Sequence, residues 1–336
     1  MLGLFGNHRL GAFVALFFFS ILIHLAGFIL PGEAFQEELR TQSSFAKELS
    51  INYPFWSFVF AYISNVTVAI VLTGFSKKFN LFDSKNLLIP YAFLLFCGCS
   101  YYMLRFSEWH LILIGQALII YIVFALYEMV KDKAPLNLFV LGFIAGFFIL
   151  IESTNFLYLL VILWGVILFK PSQKKDIFVF LLGFAVVMFF IFSVYFLQDF
   201  DDGIRTFFKS DLEGVNKDLF LPFQPFYLLF FVLIVGVVSV LLNFGRNNIF
   251  ARKSHKFLLA LLIVNAMIAI LNGRSMYENA QFFAVLFGVY GGHLLSVNKI
   301  KWIPELLNGI LLILVLWYQF ECYLPIEFQE IPDYLF

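Results

Sequence analysis

The sequence predicts an all-α integral membrane protein, and three observations carry that prediction. Hydrophobic residues make up 62% of the 336 and charged residues only 13%, with a mean hydropathy of +0.92, far above water-soluble chains. Apolar runs recur at lengths near 20 residues, which suit helices crossing a hydrocarbon layer of about 30 Å rather than the short alternation of barrel strands. Charge sums to zero yet is sorted along the chain, with basic and acidic residues alternating between successive loops.

Apolar windows place about eleven spans, at 10–30, 55–75, 87–104, 110–127, 136–151, 156–169, 177–197, 223–243, 257–272, 280–297 and 303–320. The first follows MLGLFGNHRLG, which has one arginine and no small-residue cleavage site, so it reads as a retained span on a chain starting at Met1. The second opens at Pro54 and Trp56, a helix start beside an interfacial anchor. Residues 136–169 are too long for one upright helix, and the polar break Glu152-Ser153-Thr154-Asn155 divides them into two short helices. One tilted helix there would invert every later loop.

The basic residues argue for the divided form. With the N-terminus inside, 15 of the 22 lysines and arginines fall in inner loops, while 17 of the 22 acids fall outside. Fusing the fifth and sixth spans would send GRNNIFARKSHK outward, against the rule that basic loops stay inside. The expected placement is the cytoplasmic (inner) membrane, with the C-terminus outside. A single polytopic domain, 1–336, then carries two sizeable outer loops, 31–54 and 198–222, and an outer tail, 321–336. In the first loop Ala34, Phe35, Leu39, Phe45, Ala46 and Leu49 are spaced for short interfacial helices.

Several function classes are disfavoured. No long basic stretch suits nucleic acid, and Cys97, Cys99 and Cys322 give neither a disulfide framework nor a zinc pattern. The spans carry few charges and no evident pair of broken helices, as a coupled transporter would need. QDFDDG at 198–203 reads as a turn of solvated acids, since the closing glutamate of a calcium loop is replaced by Ser210. His24, inside the first span, reads as a helix-packing partner rather than a ligand.

Chemistry is expected on the outer face, where PGEAFQEELR follows the first span. Gly32-Glu33-Ala34-Phe35, the re-entry Asn52-Tyr53-Pro54-Phe55, the segment SYYMLRFSEWHLILIGQALIIYIVFALYE and the Arg-aromatic turn NGRSMYENAQFFAVLFGVYGG together resemble the GT-C superfamily of polyprenyl-phosphate-dependent membrane glycosyltransferases. The likeness covers roughly residues 10–297. It departs from the family pattern in two places, where an acidic pair is reduced to Gly32-Glu33 and a histidine of the re-entry is Asn52.

What the resemblance implies is a GT-C-like fold and transfer of a sugar from a polyprenyl-phosphate donor to an envelope lipid, glycan or protein. Glu33 would be the catalytic base, because a carboxylate in reach of an acceptor hydroxyl takes its proton; the alternative is that Glu33 caps an interfacial helix. Arg105 and Arg274 would clamp the donor phosphate, with Glu108 and Tyr277 beside them, or would pair with neighbouring acids or head groups. Glu37 and Glu38 would orient the base or hold a divalent cation, the one cofactor left open, or would form a solvated face. Partners are the polyprenyl-phosphate lipid, membrane lipids and a protein partner in the membrane. The competing function is a non-catalytic accessory subunit in envelope biogenesis or secretion.

Overall fold

The computed structural model describes residues 5, 10–29, 44–79, 87–99, 101–127, 134–170, 174–197, 226–244, 248–272, 279–296 and 302–321. Among these residues the chain is all-helical. Thirteen α-helices follow in order: α1 (Leu10–Ile29), α2 (Ser44–Asn52), α3 (Pro54–Lys78), α4 (Leu88–Gly98), α5 (Tyr101–Leu104), α6 (Trp109–Ala125), α7 (Ala134–Ile151), α8 (Leu157–Phe169), α9 (Lys174–Leu197), α10 (Phe226–Leu242), α11 (Ile249–Leu271), α12 (Ala280–Ser296) and α13 (Trp302–Glu321).

Four of these helices, α3, α7, α9 and α11, contain stretches long and apolar enough to cross a membrane; in the other apolar helices the apolar stretch among the described residues runs 10–17 residues. At about 1.5 Å per residue the 25-residue α3 extends roughly 37 Å, more than a hydrocarbon layer, whereas the 11-residue α4 reaches only about 16 Å. Every predicted window holds helix, but the window 87–104 is not one element. It breaks at Cys99, whose φ of −92° and ψ of 6° leave the helical path, into α4 and α5. The cause is close packing: a Cβ on Gly98 would meet side chains of Ile23 and Val315 at 2.8 Å, and the Gly98 carbonyl accepts a hydrogen bond from Gln319 Nε2 at 3.3 Å. Such a break is tolerated because α4 is buried at every residue, so protein groups replace the lost helical bonds.

The centre of the bundle is α4 against α12. Gly292 has no side chain to hold the helices apart, and a Cβ there would lie 2.7 Å from the Ile89 Cα. Around this pair pack α1, α3, α6, α10 and α13. The second close approach is between α7 and α9, where Gly142 faces the Phe180 carbonyl and Gly183 faces the Phe139 carbonyl. The far side of α9 leaves Phe178, Phe189 and Phe196 exposed, as expected for a face turned to lipid.

The break at Glu152 is real: α7 stops at Ile151, a single 3₁₀ turn spans Ser153–Phe156, and α8 begins at Leu157. In the first loop α2 begins at Ser44 and turns directly into α3 through Tyr53, with Pro54 at the first helical turn where its missing N–H costs nothing. Ser50 and Ser57 hydroxyls, 3.0 Å apart, hold that corner.

The two ends of the bundle differ in chemistry. One end gathers Phe79, Phe124, Phe169 and Phe250 in mutual ring contact, with Lys78 over Tyr121 and Lys253 over Tyr127. Lys170 pairs with Asp176 there at 3.4 Å. The opposite end carries the polar groups that form the candidate site.

Candidate functional site at the polar end of the bundle

Four contacts assemble this end from separate connections. The Phe106 amide bonds both the hydroxyl and the carbonyl of Ser57, at 3.0 and 3.2 Å, which ties the α5–α6 turn to the start of α3. Trp109 at the head of α6 meets Phe282 of α12 edge-on, with ring centroids 5.2 Å apart. Asn279 Nδ2 donates to the Ala269 carbonyl at 3.2 Å, closing α12 onto α11. Asn272, just after α11, donates from Nδ2 to Glu152 Oε2 at 3.3 Å, closing α11 onto the α7–α8 break.

Arg105 lies in the turn between α5 and α6 and is only 5% exposed. Its Nη1 donates to the Pro54 carbonyl at 3.3 Å, so the guanidinium braces the corner where α2 gives way to α3. Burial lowers its pKa from the ordinary value. Glu108, at the N-cap of α6, is half-buried and its side chain makes no capping hydrogen bond. Glu33, Glu37, Glu38, Arg274 and Tyr277 lie outside the described residues. Their connections are nevertheless anchored here: 30–43 runs from the end of α1 to α2, and 273–278 joins Asn272 to Asn279.

Beneath Arg105 runs a buried polar chain. His24 Nδ1 donates to the Ser20 carbonyl at 2.8 Å, which leaves Nε2 as an acceptor. Asn65 Nδ2 donates one hydrogen to that Nε2 at 2.9 Å and the other to the Met103 carbonyl at 2.7 Å. His110 completes the set: its Nδ1 accepts from the Ser107 amide at 3.2 Å and its Nε2 faces the same Met103 carbonyl at 3.4 Å. The carbonyl at the end of the four-residue α5 has lost its helical partner, and two side chains replace it. His24 is thus the helix-packing partner expected of it. Asn65 and His110 drew no attention in the sequence, although each is a polar residue inside an apolar window, the signal that would have found them.

One layer deeper, Gln116, Tyr158 and Asn265 form a second buried knot. The Tyr158 hydroxyl donates to Asn265 Oδ1 at 2.6 Å; Gln116 Nε2 contacts the Tyr158 oxygen, and Asn265 Nδ2 donates to the Phe282 carbonyl. It joins α6, α8, α11 and α12, and such bonds hold membrane helices together at about 0.6–2 kcal/mol each.

Among the described residues no three His, Cys, Asp or Glu side chains converge as a metal site. An apolar groove of about 280 Å³ opens between α1 and α3, lined by Phe13, Phe17, Val66 and Ile70 with Ser20 and Thr73 at its edges. A second, of about 370 Å³, lies between α7 and α9. No family model, curated protein or solved structure matches the chain.

Proposed function

We propose that the chain is a GT-C-like glycosyltransferase of the cytoplasmic membrane, moving a sugar from a polyprenyl-phosphate donor to an envelope acceptor at the outer face. The observation that carries this reading is the convergence of connections at one end of the bundle. The segments containing Glu33 and Arg274 start and finish at the end where Arg105, Glu108 and Glu152 also lie. A carboxylate base, a cation for the leaving phosphate and polar groups for hydroxyls are what such a transfer requires. The apolar groove between α1 and α3 supports the reading further, as it would take a hydrocarbon chain. The eleven-span topology belongs to the same proposal. Its support is that Lys78, Lys170, Lys174, Lys253 and Lys256 all gather at the opposite, aromatic end.

One observation favours the second reading, a non-catalytic subunit of an envelope or secretion complex. Arg105 is buried and engaged with a backbone carbonyl, which is the behaviour of a structural brace. Deletion of the chain separates the two. A transferase removes a specific sugar from envelope lipids, glycans or proteins by mass spectrometry, whereas loss of an assembled complex with unchanged glycosylation establishes the subunit reading.

A further inference from the structure

At the aromatic end of the bundle two lysines are held against rings rather than against acids. Lys78 Nζ lies 5.2 Å from the centre of the Phe79 ring and 5.3 Å from that of Tyr121, and Lys253 Nζ lies 5.8 Å from that of Tyr127. Phe250 joins the two groups, its ring centroid 5.9 Å from Phe79 and 5.0 Å from Tyr127. Phe79, Phe250 and Tyr127 thus form one strip, built just past the ends of α3 and α6 and at the start of α11, with an ammonium over each of its end rings. A ring face attracts and orients a cation but has no net charge, so each lysine keeps its full charge for an anion. Of the basic side chains described at this end, Lys170 pairs with Asp176, whereas Lys78, Arg252, Lys253 and Lys256 meet no carboxylate among the described residues. Three of these cations lie in the first two turns of α11, which has no acid in its first turn, against the sign its own dipole favours. Helix stability does not account for that charge; a partner outside the bundle does.

We infer that this strip is a docking surface for the headgroup of an anionic phospholipid, with Lys78 and Lys253 as the cations that meet its phosphate. Depth argues for a lipid. Lys78 lies just past the apolar stretch Pro54–Ser76, and Lys253 lies in the first turns of the apolar helix α11, so both ammonium groups emerge where hydrocarbon gives way to headgroups. Tyrosine rings favour the same level, one face apolar and the hydroxyl wet. Tyr127 is 45% exposed and Lys78 is exposed, so the strip is open to a ligand. Charge argues for an anionic lipid, since a zwitterionic headgroup brings its own cation to a surface that is already basic. The inference requires neither sugar transfer nor a particular orientation of the chain, and it stands or falls separately from both.

The test is thermal unfolding of the purified full-length chain in a non-ionic detergent, titrated with phosphatidylglycerol, with phosphatidylcholine of the same acyl chains, with inorganic phosphate or with polyglutamate. Phosphatidylglycerol raises the melting temperature saturably, while the other three do not. Lys78→Gln and Lys253→Gln combined keep most of each stem and remove both charges, so the double variant melts close to the wild type without lipid and needs about tenfold or more phosphatidylglycerol to reach the midpoint of the response. Lys174→Gln and Lys175→Gln combined remove equal charge at the same end away from the strip, and move that midpoint less than about threefold. Equal responses to the two lipids overturn the assignment, as does a response to inorganic phosphate or polyglutamate that matches or replaces that to phosphatidylglycerol. So does an unaltered response in the Lys78 and Lys253 double variant, or an equal loss in the Lys174 and Lys175 pair.

Discussion

Asn65 on α3 donates to His24 on α1 through a 2.9 Å hydrogen bond, and its second hydrogen goes to the Met103 carbonyl where α5 ends. One amide therefore satisfies two elements, and the broken helix depends on it. Replacing Asn65 by Leu leaves His24 Nε2 and one bond of Met103 without a donor. Each buried acceptor so orphaned costs about 1–3 kcal/mol, so the variant is expected to lose about 2 kcal/mol or more. A melting curve in detergent that matches the wild type would show that the network contributes nothing.

The α7–α9 contact should resist any added side chain. Gly142 and Gly183 each face backbone carbonyls of the other helix, which cannot move aside as a flexible side chain can. Gly142→Leu and Gly183→Leu are expected to reduce folded protein in the membrane severalfold. Gly309→Leu, where a Cβ meets nothing within 4 Å, should leave it unchanged. Fluorescence-detected size exclusion compares the three.

Arg105 braces the α2–α3 corner through Pro54. Arg105→Met keeps the length of the side chain and removes the donor, so amide exchange should rise locally at residues 50–57 and not in α9. Exchange that rises uniformly, or nowhere, would remove the brace from the account.

Topology is accessible to thiol labelling. In a cysteine-free background, single cysteines at Ser43 and Asp211 should react with an impermeant reagent in spheroplasts, and one at Asn248 should not. Asn248 caps α11 at the end carrying the basic residues, so labelling there would overturn the eleven-span arrangement.

Much of the fold was legible because hydrocarbon imposes one simple rule, that an apolar run of sufficient length becomes helix. The polar break at Glu152 and the helix start at Pro54 followed from local chemistry that a sequence displays directly. The break at Cys99 did not, since LIPYAFLLFCGCSYYML is apolar throughout. It arises from contacts between Gly98 and residues 75 positions before it and more than 200 after it, Ile23, Val315 and Gln319. The candidate site was half legible for the same reason. Arg105 and Glu108 announce themselves as charges in an apolar setting, whereas the partners of His24 become visible only once α3 and α5 are placed beside it.

The proposed function rests on Glu33 as its base, and Glu33→Gln tests that proposal because the substitution keeps size and polarity while removing the carboxylate. The measurement is the envelope glycolipid and glycoprotein profile of a deletion strain complemented with wild type or with Glu33→Gln at equal membrane abundance. The account predicts that the wild type restores a missing sugar and that Glu33→Gln lowers its transfer by about 10²–10⁴-fold, the scale of general-base removal, with Glu37→Gln milder. Full restoration by Glu33→Gln, or an identical profile with and without the chain, would contradict it.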